Sequence, residues 1–279
     1  MTDLQSQPIA SPEDRELKFR HRAMWASGDY PALANDLIWS LGPRVVEAAA
    51  IRPGERVLDI AAGTGNVAIP AALRGASVVA TDLTPELLDA GRRLAVEAGA
   101  ELEWRTADAE ALPFDDDSFD VVVSSVGIMF APHHERSADE LVRVTRSGGR
   151  IALLSWTPTG FIGRMFAAMK PFNAPLPPGA SPAPLWGDEA HVRELLGDRV
   201  TDLEAVRETV TIDRFGSPAS LRRYFASHYG PTIAVYNRIA DDPAPVAELD
   251  AALDELAASA TGADGTMQWE YLLVTAVVR

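Results

Sequence analysis

The stretch VLDIAAGTGNVA, Val57 to Ala68, decides the fold. Its first half, VLDIA, is a short apolar run that reads as a strand buried on both faces. Gly63, Gly65 and Ala68 follow in G-x-G-x-x-A spacing and lead into a helix, NVAIPAALRG. Glycines after a first strand let the backbone approach a ligand closely at a helix N-terminus. Asp59, just before them, is the informative residue. A loop built to hold a pyrophosphate would not place a carboxylate there.

Outward from this stretch, strands and helices alternate. SVVATD reads as a second strand, and TPELLDAGRRLAVEAG as a helix with Thr84 as N-cap and Pro85 at its first position. LEWRTAD is a third strand. The acidic turn at Asp115–Asp117, a solvated feature, leads into a fourth, FDVVVSS. ERSADELVRVTRSGG reads as a helix closed by glycines, and RIALLSW as a fifth strand. This alternation predicts an α/β fold with a mostly parallel sheet and helices on both faces.

Residues 1–14 read as a flexible tail and 15–50 as an N-terminal helical lid, with a turn around Gly28 and Pro31. The ligand-binding core spans 51–157. Residues 158–279 complete the same domain with lid inserts. These inserts include a proline-rich loop, NAPLPPGASPAPLWG, and two helical segments at roughly 218–229 and 243–260. EAVRETVTID and EYLLVTAVV are the sixth and last strands.

Composition narrows the function. The 279 residues are 47% hydrophobic and 23% charged, enough for a packed core. A net charge of −15 disfavours nucleic acid and anionic membranes as partners. With no cysteine, thiolate zinc sites and cysteine nucleophiles are excluded, and no metal site is expected. The polar N-terminus has no signal-peptide pattern and no apolar run is long enough to span a bilayer, so the expectation is a cytoplasmic protein. Oligomeric state is left open.

The strand ends identify a ligand. Asp82 ends the second strand, 23 residues after Asp59, where a carboxylate can accept from both ribose hydroxyls. Asp108 ends the third, where it can accept from an adenine amine. NAD would set its phosphates against Asp59, whereas S-adenosylmethionine brings an ammonium and a sulfonium, which a carboxylate attracts. An NAD(P)-dependent oxidoreductase is the alternative, disfavoured also by the absence of a Tyr-x-x-x-Lys pair; a non-catalytic S-adenosylmethionine binder is another.

VLDIAAGTGNVA, ATDLTPELL, ADAEALPFDDDSFDVVVSSVGIMF and ELVRVTRSGGRIALLSW together resemble the successive motifs of class I S-adenosylmethionine-dependent methyltransferases. The flavour is that of the ubiquinone and menaquinone biosynthesis C-methyltransferases. The resemblance covers about residues 50–156. It implies a Rossmann-like seven-stranded sheet with its last strand antiparallel. It also implies that Asp59, Ala61, Gly63 and Gly65 line the methionine portion of S-adenosylmethionine and that Asp82 meets the ribose, with Leu83 also binding the cofactor. Asp108 and Ala109 would hold the adenine, with Ser124 near the cofactor. No N/D-P-P-Y type signature follows the fourth strand.

Several residues are candidates on the acceptor side. His133 or His134 could serve as a general base, or they could merely cap the next helix. Trp25 and Tyr30 could close over the cofactor, or pack the lid on the sheet. Trp156, Phe161, Tyr229 and Tyr236 could wall a pocket, with core packing as the other reading. The expected reaction is methylation of a small, largely apolar molecule at carbon or oxygen.

Overall fold

The structure, a computed structural model, describes residues 12–279. Most of the expected tail lies outside the described residues. Its last positions correct the boundary, because helix α1 (Pro12–Ala26) already begins at Pro12, a residue suited to a helix start.

Seven strands form one sheet in the order β3-β2-β1-β4-β5-β7-β6. They are β1 (Arg56–Ile60), β2 (Ser77–Asp82), β3 (Glu103–Thr106), β4 (Phe119–Ser125), β5 (Thr145–Trp156), β6 (Val200–Ile212) and β7 (Met267–Val278). β1 pairs in parallel with both β2 and β4, so the chain reverses its direction of travel across the sheet at β1. β7 runs antiparallel to both of its neighbours.

The first crossovers run through α4 (Ala68–Leu73) and α5 (Pro85–Ala98), and the later one through α6 (His134–Val144). Right-handed crossovers taken in opposite directions put these helices on opposite faces. The central strands are therefore buried on both sides, as the continuous apolar runs of β1 and β4 require. The edge strand β6 instead alternates buried and exposed positions. The carboxyl ends of β1 and β4 flank the switch point, where such sheets open a crevice.

Two elements differ from expectation. α6 stops at Val144, and the glycines expected to close it belong to β5 instead. There, Arg146 to Gly149 bulge out of register against β4, with Gly148 at φ 71°. In the inserts, three helices stand where two were expected: α9 (Pro218–His228), α10 (Gly230–Ile239) and α11 (Pro243–Ala260). The Tyr229-Gly230-Pro231 sequence ends one helix and starts the next, since proline accepts a first-turn position but not an interior one.

The helices over the sheet's carboxyl edge come from two distant parts of the chain. After α1 comes α2 (Tyr30–Leu33), which continues as a π-turn to Ile38, and then α3 (Leu41–Ala48). The Gly28 turn docks on the α9–α10 junction, where the Asp29 amide donates to the His228 carbonyl at 2.9 Å. A Cβ on Gly230 would stand 2.4 Å from the Met24 carbonyl, so this contact needs glycine. α3 fastens the other side, with Gly42 set directly against the Asn66 carbonyl behind the glycine loop. Among the described residues, no helix is long and apolar enough to cross a membrane.

Candidate active site

A cleft of about 1220 Å³, its mouth included, opens at the carboxyl ends of β1, β2 and β4 beneath α1, α2 and the α9–α10 junction.

At one end lie the groups expected to meet the cofactor. Ala61, Gly63, Asp82, Leu83, Asp108 and Ala109 all line the cleft. Asp82 organises this end: one carboxylate oxygen accepts from the Gly63 amide at 2.9 Å and the other from the Thr84 amide at 2.8 Å. The glycine loop and the start of α5 are thus tied to one side chain. Burial nevertheless holds the Asp82 carboxyl above its ordinary range. Gly63 has φ 56°, and the space a Cβ would fill is open. Two non-glycine residues beside it also sit in the left-handed region, Ala61 at φ 52° and Val126 at φ 55°. For β-branched Val126 this is a strained conformation, at the point where β4 turns into the cleft.

Asp59, Gly65 and Ser124 stand behind the lining. The Asp59 carboxylate accepts from the Ala68 amide at 3.0 Å, fixing the start of α4. Its other oxygen is buried without a hydrogen-bond partner among the described residues. Burial pushes the Asp59 carboxyl well above the usual carboxylate range, and the neighbouring Asp82 charge adds to this. Gly65, at φ 86°, leaves room for Trp104 rather than for a ligand. Ser124 donates to the Ile60 carbonyl at 2.7 Å and accepts from the Ile128 amide at 2.9 Å, locking β4 to β1.

α1 supplies two lining residues that the sequence reading missed, Lys18 and His21. Lys18 reaches Asp108 at 3.0 Å and Glu110 at 2.9 Å. Burial and the Lys18 charge lower the His21 pKa, so that imidazole is neutral at neutral pH. A signal was present: Lys18, His21 and Trp25 fall at i, i+3 and i+7, one stripe of a helix.

The far end is aromatic. Trp25, Phe130, Trp156, Phe225, Tyr229 and Trp269 line it. Trp25 meets Phe130 edge-on with ring centroids 4.6 Å apart. Tyr30, which also lines the cleft, accepts from the Gly230 amide at 3.2 Å.

Four acceptor-side candidates also lie outside the lining and are corrected. His133 caps α6 and bonds Glu110 through Nδ1 at 2.9 Å. His134 is buried with its Nδ1 2.9 Å from His191 Nε2, and its ring tilts against Trp186. Burial, reinforced by the His191 charge, lowers the His134 pKa to about 4. Neither imidazole faces the cleft, because the capping turn directs both toward packed neighbours. Phe161 stacks on Trp269, 5.1 Å away at 10°, and so backs the wall instead of forming it. Tyr236 donates to Asp250 at 2.6 Å, joining α10 to α11. The grouping of Asp14, Glu110 and His133 is close enough to hold an ion, but Lys18 already neutralises its central carboxylate.

Comparison with known proteins agrees with this geometry. A methyltransferase-domain family model matches residues 58–153. The chain is 52% identical to the Mycobacterium tuberculosis protein Rv1403c over 92% of its own length and 93% of that protein. A demethylmenaquinone methyltransferase of Clavibacter sepedonicus is 41% identical over 45% of this chain and 50% of its own. Among solved structures, the YcgJ protein of Bacillus subtilis superposes with a TM-score of 0.55 at 20% identity, covering 86% of this chain and 98% of that one. Phosphoethanolamine N-methyltransferase 2 of Haemonchus contortus, solved with S-adenosylmethionine, gives 0.54 at 17% identity over 91% and 56%. The chain belongs to one family with Rv1403c, carries a methyltransferase domain, and has the fold of class I S-adenosylmethionine-dependent methyltransferases. S-adenosylmethionine is its cofactor, and the unpartnered Asp59 oxygen and the open space over Gly63 fit it.

Proposed function

We propose that the chain methylates a small, largely apolar acceptor at carbon or oxygen. The observation that carries this is the division of the cleft. Its charged and imidazole groups, Lys18, His21, Asp82 and Asp108, gather at one end, and the other end is a wall of rings. A net charge of −15 adds a field that repels nucleic acid and other polyanions. The reading is of a cytoplasmic enzyme, since that is where the methyl donor is made.

When bound, S-adenosylmethionine supplies an electrophilic methyl group on a sulfonium sulfur. In this reading Asp82 and Leu83 hold the ribose, and Asp108 and Ala109 the adenine. Ala61 and Gly63 offer backbone to the methionine portion, and Asp59 attracts its ammonium from behind the loop. Trp25 and Tyr30 cover the junction of the two ends. The aromatic wall orients the acceptor and excludes water, and such alignment can supply roughly 7–11 kcal/mol of a barrier. With His133 and His134 away from the cleft, no histidine at that position removes a proton.

The test is release of S-adenosylhomocysteine from the full chain with a panel of acceptors. Bicyclic phenols and enols should be methylated, and short DNA and RNA should not. Turnover confined to nucleic acid or to multiply charged acceptors would overturn the reading.

A further inference from the structure

The chain has five tyrosines, and four of their hydroxyls are engaged within the protein. Tyr224 donates to Asp36 at 2.8 Å, Tyr236 to Asp250 at 2.6 Å and Tyr271 to Glu208 at 2.8 Å. Tyr30 accepts from the Gly230 amide. Tyr229 differs. It is 7% exposed and lines the aromatic end of the cleft, yet its hydroxyl has no hydrogen-bond partner among the described residues. The ring is buried, but the hydroxyl oxygen is not sealed into the core; it keeps access to the cleft, where a ligand can reach it.

The surroundings define what it would bind. Phe225 lies 5.6 Å from the Tyr229 ring, and Trp25, Tyr30 and Phe166 lie at 6.3 Å each. Among the described residues, burial and the Tyr30 phenol, and no carboxylate, act on its hydroxyl, so nothing there offsets a cationic ligand. The rings of Trp25, Tyr30 and Tyr229 are inclined to one another by 59–65° and fill each other's edges, unlike a cage turning its faces on one cation. Burial keeps the Tyr229 hydroxyl protonated far above its ordinary range, so it can donate at any working pH.

We propose that the Tyr229 hydroxyl is the polar handle of the acceptor pocket, hydrogen-bonding a phenolic or enolic oxygen on an otherwise apolar, ring-sized acceptor. It selects among apolar molecules those that carry an oxygen in reach. The proposal rests on the small, apolar acceptor of the preceding subsection and adds the functional group that is read. Asp82 and Asp108 hold the donor without it, so donor binding is independent of this hydroxyl.

The experiment compares 2-naphthol with naphthalene on the S-adenosylhomocysteine-loaded full chain, by ligand-observed nuclear magnetic resonance. Wild type should bind 2-naphthol about tenfold more tightly, the worth of one hydrogen bond to a group otherwise left unpaired. Tyr229→Phe should bind the two alike, at the naphthalene level, with unchanged affinity for S-adenosylhomocysteine. Its melting temperature should be unchanged or raised, because phenylalanine fills the same space and the hydroxyl makes no hydrogen bond among the described residues. A preference for 2-naphthol that persists in Tyr229→Phe, or no preference in wild type, overturns the proposal. A lowered melting temperature in the variant would make the hydroxyl structural and overturn it too. Binding of neither probe to wild type would overturn the apolar-acceptor reading itself, and this proposal with it.

Discussion

Asp59→Asn should stabilise the ligand-free protein while damaging its use of the donor. Asp59 is 1% exposed, and only one of its oxygens has a partner. The amide oxygen of asparagine can keep the bond from the Ala68 amide, and its nitrogen takes the place of the orphan oxygen. What disappears is a desolvated charge facing the Asp82 carboxylate. Leaving a buried polar group unsatisfied costs about 1–3 kcal/mol, and more when it is charged, so exchanging a charged orphan for a neutral one should recover about 1–2 kcal/mol. At roughly 2–4 °C per kcal/mol for a chain of this size, the melting temperature rises by about 2–8 °C. The pH dependence follows from the raised pKa. The native state holds the Asp59 proton more tightly than the unfolded chain, so wild-type stability falls as pH rises from the ordinary value of 3.8 through the raised one. The gain in Asp59→Asn should therefore be largest near neutrality and fade toward pH 4. Calorimetry should show S-adenosylmethionine binding weakened about 10- to 100-fold, the worth of a hydrogen bond to a charged group. Scanning calorimetry across pH checks the first effect. A melting temperature that falls at pH 7, or donor affinity equal to wild type, would refute the argument.

Other substitutions probe the lid and the core. Lys18→Met cuts the contacts to Asp108 and Glu110, of which Glu110 is nearly buried, and should raise hydrogen exchange across Pro12–Ala26 in the donor-bound state. Because Lys18 is only partly buried, the cost should be about 1–3 kcal/mol, read as faster donor release in stopped-flow fluorescence. His134→Asn should flatten the acid limb of stability. The lowered pKa lets the unfolded chain bind a proton between 6.5 and about 4 that the native state refuses, so wild type loses about 3 kcal/mol as pH falls through that window. Urea titrations at pH 7 and pH 4.5 measure the difference, and turnover should stay within a few-fold of wild type. Gly42→Ala would place a Cβ 1.7 Å from the Asn66 carbonyl and force α3 away from the glycine loop. The expected cost is about 3 kcal/mol in denaturant unfolding, with loss of donor binding.

The sequence reading matches the fold where one local pattern sets it. Asp59, Gly63 and Asp82 each end or follow a strand, so strand periodicity alone brings them to one edge of the sheet. The reading failed where a position depends on the chain's return from elsewhere. Whether Phe161 or Trp269 faces the cleft is set by how α7 (Phe161–Met169) lies against β7, and no spacing in either segment encodes that. His133 and His134 follow β4 closely in sequence, yet Glu110 and His191 draw both imidazoles away from the cleft. α10 was missed because Tyr229-Gly230-Pro231 reads as a loop until the N-terminal turn is seen packed on it.

The two ends of the cleft share one roof, and this couples them. α1 carries Lys18, which reaches Asp108 at the donor end, and seven residues on it carries Trp25, which packs on Phe130 at the acceptor end. The turn after α1 bonds to the junction that presents Tyr229. Fixing α1 over the donor therefore also fixes Trp25 and Tyr30 against Tyr229, completing the aromatic wall. At that end α1 is held by the buried Leu17 and by the Lys18 ion pairs to Asp108 and Glu110. A ligand that orders a segment lowers the ordering cost left for the next ligand, which is positive cooperativity. Affinity for 2-naphthol should accordingly rise at least fivefold when S-adenosylhomocysteine is bound, and by reciprocity 2-naphthol should tighten S-adenosylhomocysteine by the same factor. Lys18→Met should reduce both factors together while leaving Tyr229 in place. Equal 2-naphthol affinity with and without S-adenosylhomocysteine would mean that the roof is already fixed in the free protein, and that the two ends fill independently.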